Sequence, residues 1–169
     1  ADLITGFNKA LKELRNNGGY DAILNKYIKT ETEKDIKPVK SDYRIVSDSL
    51  FAPFEFQNSS KKYVGIDVDL MQAIAKNQKF NITMDFVGFQ TAIDQTQASH
   101  ADGMIAGMSI TDERKKVFDF SDPYFTANAT IAVKSTTTNI KSYKDLKGKT
   151  VGVKNGTASQ TFLDKNKDK

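Results

Sequence analysis

The sequence predicts an α/β fold whose strands run mostly parallel. From Tyr43 onward, short apolar segments with strand periodicity alternate with segments of helical periodicity. This alternation is typical of βα units that build a parallel sheet. The composition agrees with a folded domain, because 38% of the 169 residues are hydrophobic, 27% are charged and the mean hydropathy is −0.50.

Residues 1–28 are predicted to form two amphipathic helices ahead of the alternating part. The apolar positions of the first helix lie on one face and are Leu3, Ile4, Phe7, Leu11 and Leu14. The segment Asn16-Asn17-Gly18-Gly19 ends this helix, since glycine favours a helix C-terminus. The second stripe consists of Tyr20, Ile23, Leu24, Tyr27 and Ile28. We expect a helical hairpin packed on a core, followed by a polar linker at 29–42.

The later elements follow from the same periodicities. Strands are expected at 43–47, 82–87, 104–106, 130–134 and 150–153. Helices are expected at 67–78, 89–98 and 159–166, with a helical turn at 112–117. The chain stops just after a βα unit, which suggests that the fold continues beyond Lys169.

Composition argues against several functions. The sequence has no cysteine and one histidine, His100, so a zinc site or a Ser-His-Asp triad is not expected. Residues 134–169 carry nine lysines against three acids, but no aromatic stacking platform lies between them. Nucleic acid is therefore not expected as a partner. No apolar segment approaches the ~18 residues of a transmembrane helix, and no signal peptide is recognised.

Ligands of open α/β sheets bind beyond the carboxyl ends of the strands, which selects a set of candidate residues. These are Asp48, Phe51, Phe89, Gly107, Ser109, Arg114, Lys154 and the turn 155–158. Each has an ordinary alternative. A phenylalanine can simply fill the core, a glycine can simply turn the chain, and an isolated Asp or Lys can be a surface charge.

Arg114 is the most informative candidate. Thr111 is a predicted helix N-cap, and Asp112 and Glu113 suit the positive end of a helix dipole. Arg114 lies in the same turn, where a cation opposes the dipole, so helix energetics do not explain it. A guanidinium at this place could bind a carboxylate through two parallel hydrogen bonds. An ion pair with a neighbouring surface acid is the equally weighted alternative.

Four segments in order resemble a known family. They are SDSLFAPFEF (47–56), YVGIDVDLMQAIAK (63–76), DGMIAGMSITDERKKVFDFSDPY (102–124) and SYKDLKGKTVGVKNGTAS (142–159). The chain resembles the bacterial solute-binding proteins for polar amino acids, of the glutamine-binding type. The resemblance implies a periplasmic-binding-protein type II fold, with the first lobe at 43–128 and a hinge crossing and partial second lobe at 129–169.

The same resemblance implies roles for the candidate residues. Arg114 corresponds to the arginine that binds the ligand α-carboxylate, helped by the backbone amides of Ser109 and Ala158. The Gly107 carbonyl and the Ser109 hydroxyl correspond to α-ammonium partners, and Ala106 belongs to the same site.

Side-chain recognition is implied by the remaining candidates. Phe51 and Phe89 correspond to aromatic walls around the ligand side chain. Asp48 and Lys154 correspond to the pair that reads the side-chain amide. An Asp and a Lys together satisfy an amide, which is both donor and acceptor, so glutamine is favoured over arginine or lysine. Asparagine, glutamate and histidine remain open.

The resemblance also implies a setting for the chain. Residues 1–28 resemble the helices that end such a binding domain, so a tandem of two binding domains is expected, fused to a permease at the extracellular face of the membrane. We expect Phe7, Leu11, Leu14 and Tyr27 to contact the 43–124 region. No cofactor and no catalysis are expected. This length of chain is expected to hold about half of the site and to bind its ligand weakly or not at all. A sensor input domain of a receptor kinase is the alternative.

Overall fold

The computed structural model describes residues 2–28 and 42–167. The chain divides into two compact units, Ala1–Tyr124 and Phe125–Lys169, and each is described by itself. The predicted linker at 29–42 lies outside the described residues except for Asp42. Within the described ranges, none of the helices combines the length and the apolar character that crossing a membrane requires.

The first unit begins with two helices, α1 (Asp2–Asn16) and α2 (Gly19–Ile28). The elements that follow are β1 (Asp42–Ser47), β2 (Phe56–Gln57), β3 (Tyr63–Val64), α3 (Ile66–Gln78), β4 (Asn81–Phe86), α4 (Phe89–Gln97) and β5 (Gly103–Met104). The predicted helices and the first two strands are confirmed to within a residue or two. β5 is shorter than the predicted 104–106, and the antiparallel pair β2–β3 was not predicted because two-residue strands carry no periodicity.

Three strands form the central sheet, in the order β4-β1-β5. β1 pairs in parallel with both neighbours, and Ile45 lies opposite Met84 on one side and Gly103 on the other. The predicted parallel sheet is therefore confirmed. Because β1 is central, its last residues Ile45, Val46 and Ser47 are buried.

The hydrophobic core includes side chains from both ends of the first unit. Helix α1 contributes Phe7, Ala10 and Leu11, which are buried against residues of β1 and α3. The core partners are Ile45, Leu70, Met71, Ile74, Ala75, Phe80 and Ile105, and Leu14 packs against the same cluster. The expected contact of Phe7, Leu11 and Leu14 with the 43–124 region is therefore confirmed.

Polar contacts connect α2 to the start of α3. The Tyr27 hydroxyl donates to Asp69 Oδ2 at 2.7 Å and accepts the Gly65 N–H at 3.2 Å. Lys26 Nζ lies 2.7 Å from the same carboxylate oxygen. Burial and the bond to Asp69 raise the pKa of Tyr27 to about 12, so this hydroxyl stays a donor at neutral pH. Tyr27 thus contacts the 43–124 region, as predicted.

The second unit contains a short 3₁₀ helix at Tyr143–Leu146 and helix α5 (Ala158–Asn166). The strands predicted at 130–134 and 150–153 are wrong: no described residue pairs with these segments in a ladder. Their apolar side chains Ile131, Val133, Val151 and Val153 are exposed. A strand forms only when a neighbouring strand accepts its hydrogen bonds, and apolar alternation alone supplies no such neighbour.

Replacing Leu11 by alanine is expected to destabilise the first unit by about 2–5 kcal/mol, because the side chain is fully buried among Ile45, Leu70 and Ile74. Urea unfolding at equilibrium measures the change. The matched control is Leu50→Ala, whose side chain is 71% exposed and whose removal should change stability by less than about 0.5 kcal/mol. Equal effects of the two substitutions would contradict the packing of α1 on this core.

Candidate functional site

The carboxyl ends of three strands meet at one edge of the sheet. The Ser47 hydroxyl at the end of β1 donates to the Ile105 carbonyl just after β5. The Val87 N–H after β4 donates to the Ser47 carbonyl at 3.1 Å, and the Ile105 N–H donates to Val46 at 3.2 Å. The segments that begin at Asp48, Gly88 and Ala106 therefore leave the sheet side by side, as the parallel topology predicts.

Arg114 lies over an aromatic ring at this edge. Its guanidinium carbon is 5.8 Å from the centroid of the Phe89 ring, and Nη1 donates to the Ser109 carbonyl at 2.7 Å. Phe89 is the first residue of α4 and is buried. Partial burial lowers the pKa of Arg114 from its usual value, and the group nonetheless stays charged at neutral pH.

The turn that carries Arg114 lies where the sequence predicts it. The Arg114 N–H donates to the Thr111 hydroxyl at 3.2 Å, so Thr111 caps the turn as expected. The helical turn predicted at 112–117 is confirmed, and its regular part is the short 3₁₀ helix Arg114–Lys116. The Lys115 N–H donates to the Thr111 carbonyl at 2.9 Å, and the Val117 N–H donates to the Arg114 carbonyl at 3.0 Å.

Gly107 and Phe51 are in direct contact. Gly107 has φ +53°, in the left-handed region that favours glycine. A Cβ at this position would come within 2.6 Å of the Phe51 ring, and that ring stacks on Phe54 at 5.0 Å. Phe51 remains 40% exposed, so one part of the ring faces solvent beside a glycine backbone.

Asp48 and Ala106 are buried at the same edge. Asp48 is 2% exposed, and its Oδ1 accepts the Ser49 N–H at 2.7 Å. Ala106 directly precedes Gly107, and Ser109 is an exposed residue two positions later. Contacts within the first unit thus join two groups of predicted residues, Phe51 with Gly107 and Arg114 with Phe89 and Ser109.

Lys154 and Ala158 belong to the second unit. Ala158 is the first residue of α5, and the preceding Thr157 caps this helix by accepting the Gln160 N–H at 3.2 Å. The Thr157 hydroxyl donates to the Lys154 carbonyl at 2.7 Å, which ties the Lys154 backbone to the start of the helix. The roles that the resemblance gives to these two residues stay predictions.

Sequence reasoning missed a buried acidic cluster below Gly107. Asp67 is 0% exposed, and its Oδ2 accepts the Gly107 N–H at 2.8 Å and the Tyr124 hydroxyl at 3.0 Å. Glu55 is equally buried, and it is one of the groups that act on the pKa of Asp67. The Gly107 N–H lies 3.1 Å from the Tyr124 hydroxyl as well.

Burial dominates the charge state of this cluster. It raises the pKa of Asp67 from 3.8 to about 6, although Glu55 and the hydrogen bonds from Tyr124 and Gly107 act in the opposite direction. Burial and the neighbouring Asp67 raise the pKa of Tyr124 well above its usual value, so Tyr124 remains a proton donor.

Helical periodicity could have revealed Asp67. The residue lies three, four and seven positions before Leu70, Met71 and Ile74, which form the buried face of α3. An acid on the apolar stripe of a helix is expected to have a buried polar partner. The sequence does not say which partner, because Gly107 and Tyr124 are 40 and 57 residues away.

Comparison with known proteins identifies the family. Residues 43–168 match the family described as bacterial extracellular solute-binding proteins, family 3. The chain belongs to this family. ArtP of Bacillus subtilis (strain 168), named as an arginine-binding extracellular protein, is 41% identical over 110 residues, which are 65% of this chain and 42% of ArtP.

Two solved structures extend the comparison. Substrate-binding domain 2 of GlnP from Lactococcus lactis, in an open conformation, is 59% identical with a TM-score of 0.53, covering 78% of this chain and 56% of that one. An ancestral arginine-binding protein bound to glutamine is 42% identical with a TM-score of 0.71, covering 75% and 56%. They support the type II periplasmic-binding-protein fold. The chain spans about half the length of the curated relatives it matches.

Gly107→Ala is expected to lower stability by about 2–4 kcal/mol, since the added methyl group meets the Phe51 ring and the backbone keeps a positive φ. Chemical denaturation measures it. Gly18→Ala is the matched control, because Gly18 also has positive φ but no atom within 4 Å of the added carbon. Gly18→Ala should lower stability by only about 1–2 kcal/mol, which is the cost of a side chain at positive φ. The same cost for both substitutions would contradict the Phe51 contact.

The raised pKa of Asp67 predicts a pH dependence of stability. The unfolded chain releases this proton near pH 4 and the folded chain near pH 6, so the folded state holds more protons in between. Stability is therefore expected to fall as pH rises from about 4 to 6, by about 2–3 kcal/mol from this group. Urea unfolding across this range measures the slope.

Asp67→Asn should remove that slope, because an amide does not titrate. Asp69→Asn, two residues along the same helix, removes a carboxylate that binds Lys26 and Tyr27 instead and should leave the slope in place. A slope that survives in Asp67→Asn would assign the pH dependence to another group.

Proposed function

We propose that this chain binds a free polar amino acid, with L-glutamine as the ligand, at the carboxyl edge of its parallel sheet, and serves as a receptor for ABC-type import. The observation that supports it best is the placement of Arg114. Its partly buried guanidinium lies over Phe89 and is oriented by the Ser109 carbonyl.

A guanidinium held in this way suits a carboxylate. It is planar, always charged and able to donate two parallel hydrogen bonds. Partial burial strengthens its attraction for an anion, because less water competes for the charge. Every α-amino acid presents a carboxylate, so Arg114 explains affinity for the class and leaves the side chain to be read by other groups.

Asp48 is the group that we assign to the ligand side chain. A buried carboxylate accepts hydrogen bonds from the amide of glutamine, and it also accepts them from a guanidinium, so glutamine and arginine compete in this proposal. Glutamine is supported by the ancestral arginine-binding protein that has been solved with glutamine bound. Arginine is supported by the name of ArtP.

The proposed partner is a membrane permease, which receives the amino acid at the extracellular face of the cell. The family description, extracellular solute-binding proteins, supports this setting. Fusion of the chain to that permease, and the origin of residues 1–28 in a preceding binding domain, are parts of the same proposal. We further propose that the ligand leaves chemically unchanged.

Titration of ¹⁵N-labelled protein with L-glutamine tests the proposal. Because the chain spans about half the length of its relatives, we expect weak binding, with a dissociation constant near about 1 mM. The amide signals of Gly107, Ser109 and Arg114 should shift together. Arginine, histidine, glutamate and asparagine are titrated in parallel, and ligand recovered unaltered after incubation supports binding without catalysis.

Arg114→Ala is expected to weaken binding at least about 30-fold, the equivalent of about 2 kcal/mol for one lost charge-assisted carboxylate contact. The control is Lys116→Ala, which removes an equal charge from an exposed side chain of the same turn. Equal weakening would reduce the role of Arg114 to general electrostatics. Shifts with arginine but not glutamine would reverse the ligand assignment, and none with any amino acid up to about 10 mM would contradict the proposed function.

A further inference from the structure

Asp67 is a fully buried acid that contacts the carboxyl edge of the sheet through the backbone of Gly107. Its Oδ2 accepts the Gly107 N–H at 2.8 Å and the Tyr124 hydroxyl at 3.0 Å. Asp67 therefore holds the N–H of the Ala106–Gly107 peptide. This peptide follows β5, at the point where the chain enters the candidate site.

The hydrogen bond to Asp67 also determines the direction of the neighbouring Ala106 carbonyl. In a planar trans peptide the N–H and the C=O point in opposite directions, so fixing the Gly107 N–H on Asp67 directs the Ala106 carbonyl away from it. The positive φ of Gly107 then sets the direction of the Gly107 carbonyl. Glycine adopts this region without strain, and the Gly107 backbone is held by the hydrogen bond to Asp67 on one side and by the Phe51 ring on the other.

We propose that Asp67, together with Tyr124, is a positioning residue for the amino-acid site, because it fixes the Ala106–Gly107 peptide that the ligand meets. The proposal rests on the proposed function for the ligand alone; the control of the peptide by Asp67 can be measured without one.

The protonation state of Asp67 can be changed with pH, which allows its contact with Gly107 to be tested. The titratable groups that face Asp67 are Glu55 from the turn before β2, Tyr124 from the end of the first unit and Tyr20 from α2. Burial raises the pKa of both tyrosines, so neither loses its proton near neutral pH. The change of charge near pH 6 at this contact belongs to Asp67, and Gly107 donates directly to it.

The first test needs no ligand. The Gly107 amide proton should move with pH around a midpoint near 6, and its exchange with solvent should become at least about tenfold faster in Asp67→Asn. The matched control is Asp69→Asn, which removes a carboxylate on the α2 side of the same helix and should leave both properties unchanged. A Gly107 amide that ignores pH in the native chain overturns the proposal.

The second test separates positioning from mere stability. In Asp67→Asn the affinity of the folded protein for L-glutamine should fall at least about tenfold and lose its dependence on pH, whereas a structural role would lower stability alone. Tyr124→Phe keeps the carboxylate and should give a smaller change in the same direction, which covers the case that Asp67→Asn does not fold. Unchanged affinity and an unchanged pH profile in folded Asp67→Asn would overturn the proposal.

The two proposals fail in different ways. If no amino acid shifts any amide of the native chain, the proposed function fails, and the pH response and exchange of Gly107 then decide the positioning role of Asp67. If glutamine binds equally well to the native chain and to Asp67→Asn, the function stands and the positioning role falls.

Discussion

β1 hydrogen-bonds to β4 on one side and to β5 on the other, and both pairings are parallel. This arrangement brings three carboxyl ends to the same edge of the sheet, where the Ser47 hydroxyl and carbonyl connect them. The buried residues of β1 are part of the core, and the carboxyl end of β1 is part of the candidate site. A substitution that disturbs this central strand would therefore affect both the stability of the first unit and the geometry of the candidate site.

The first two helices complete the core of a region that begins more than a dozen residues later. Phe7, Ala10 and Leu11 fill space between β1 and α3, while Tyr27 and Lys26 bind Asp69 at the start of α3. α1 also reaches the end of the first unit, where Asn8 accepts the Asp122 N–H at 2.7 Å and Arg15 donates to the Pro123 carbonyl. The helices thus support the segment that carries Tyr124.

The two acids of the motif IDVD (66–69) face opposite sides of α3. A helix turns by about 100° per residue, so positions two apart differ by about 200°. Asp69 faces α2 and binds a lysine and a tyrosine near the surface. Asp67 faces the interior and binds Gly107 and Tyr124. A buried acid costs free energy unless hydrogen bonds compensate it, and the partners of Asp67 Oδ2 are the Gly107 backbone and the Tyr124 hydroxyl. The burial of Asp67 is thereby linked to the backbone of the candidate site.

Local patterns in the sequence determined the helices, the parallel strands β1 and β4, the edge of the sheet and most of the residues placed there, because periodicity and strand order depend on near neighbours. Only the tertiary structure decided the contacts between residues far apart, such as Asp67 with Gly107 and Phe51 with Gly107. It also decided against strands at 130–134 and 150–153, since a strand requires a partner that no local pattern can supply.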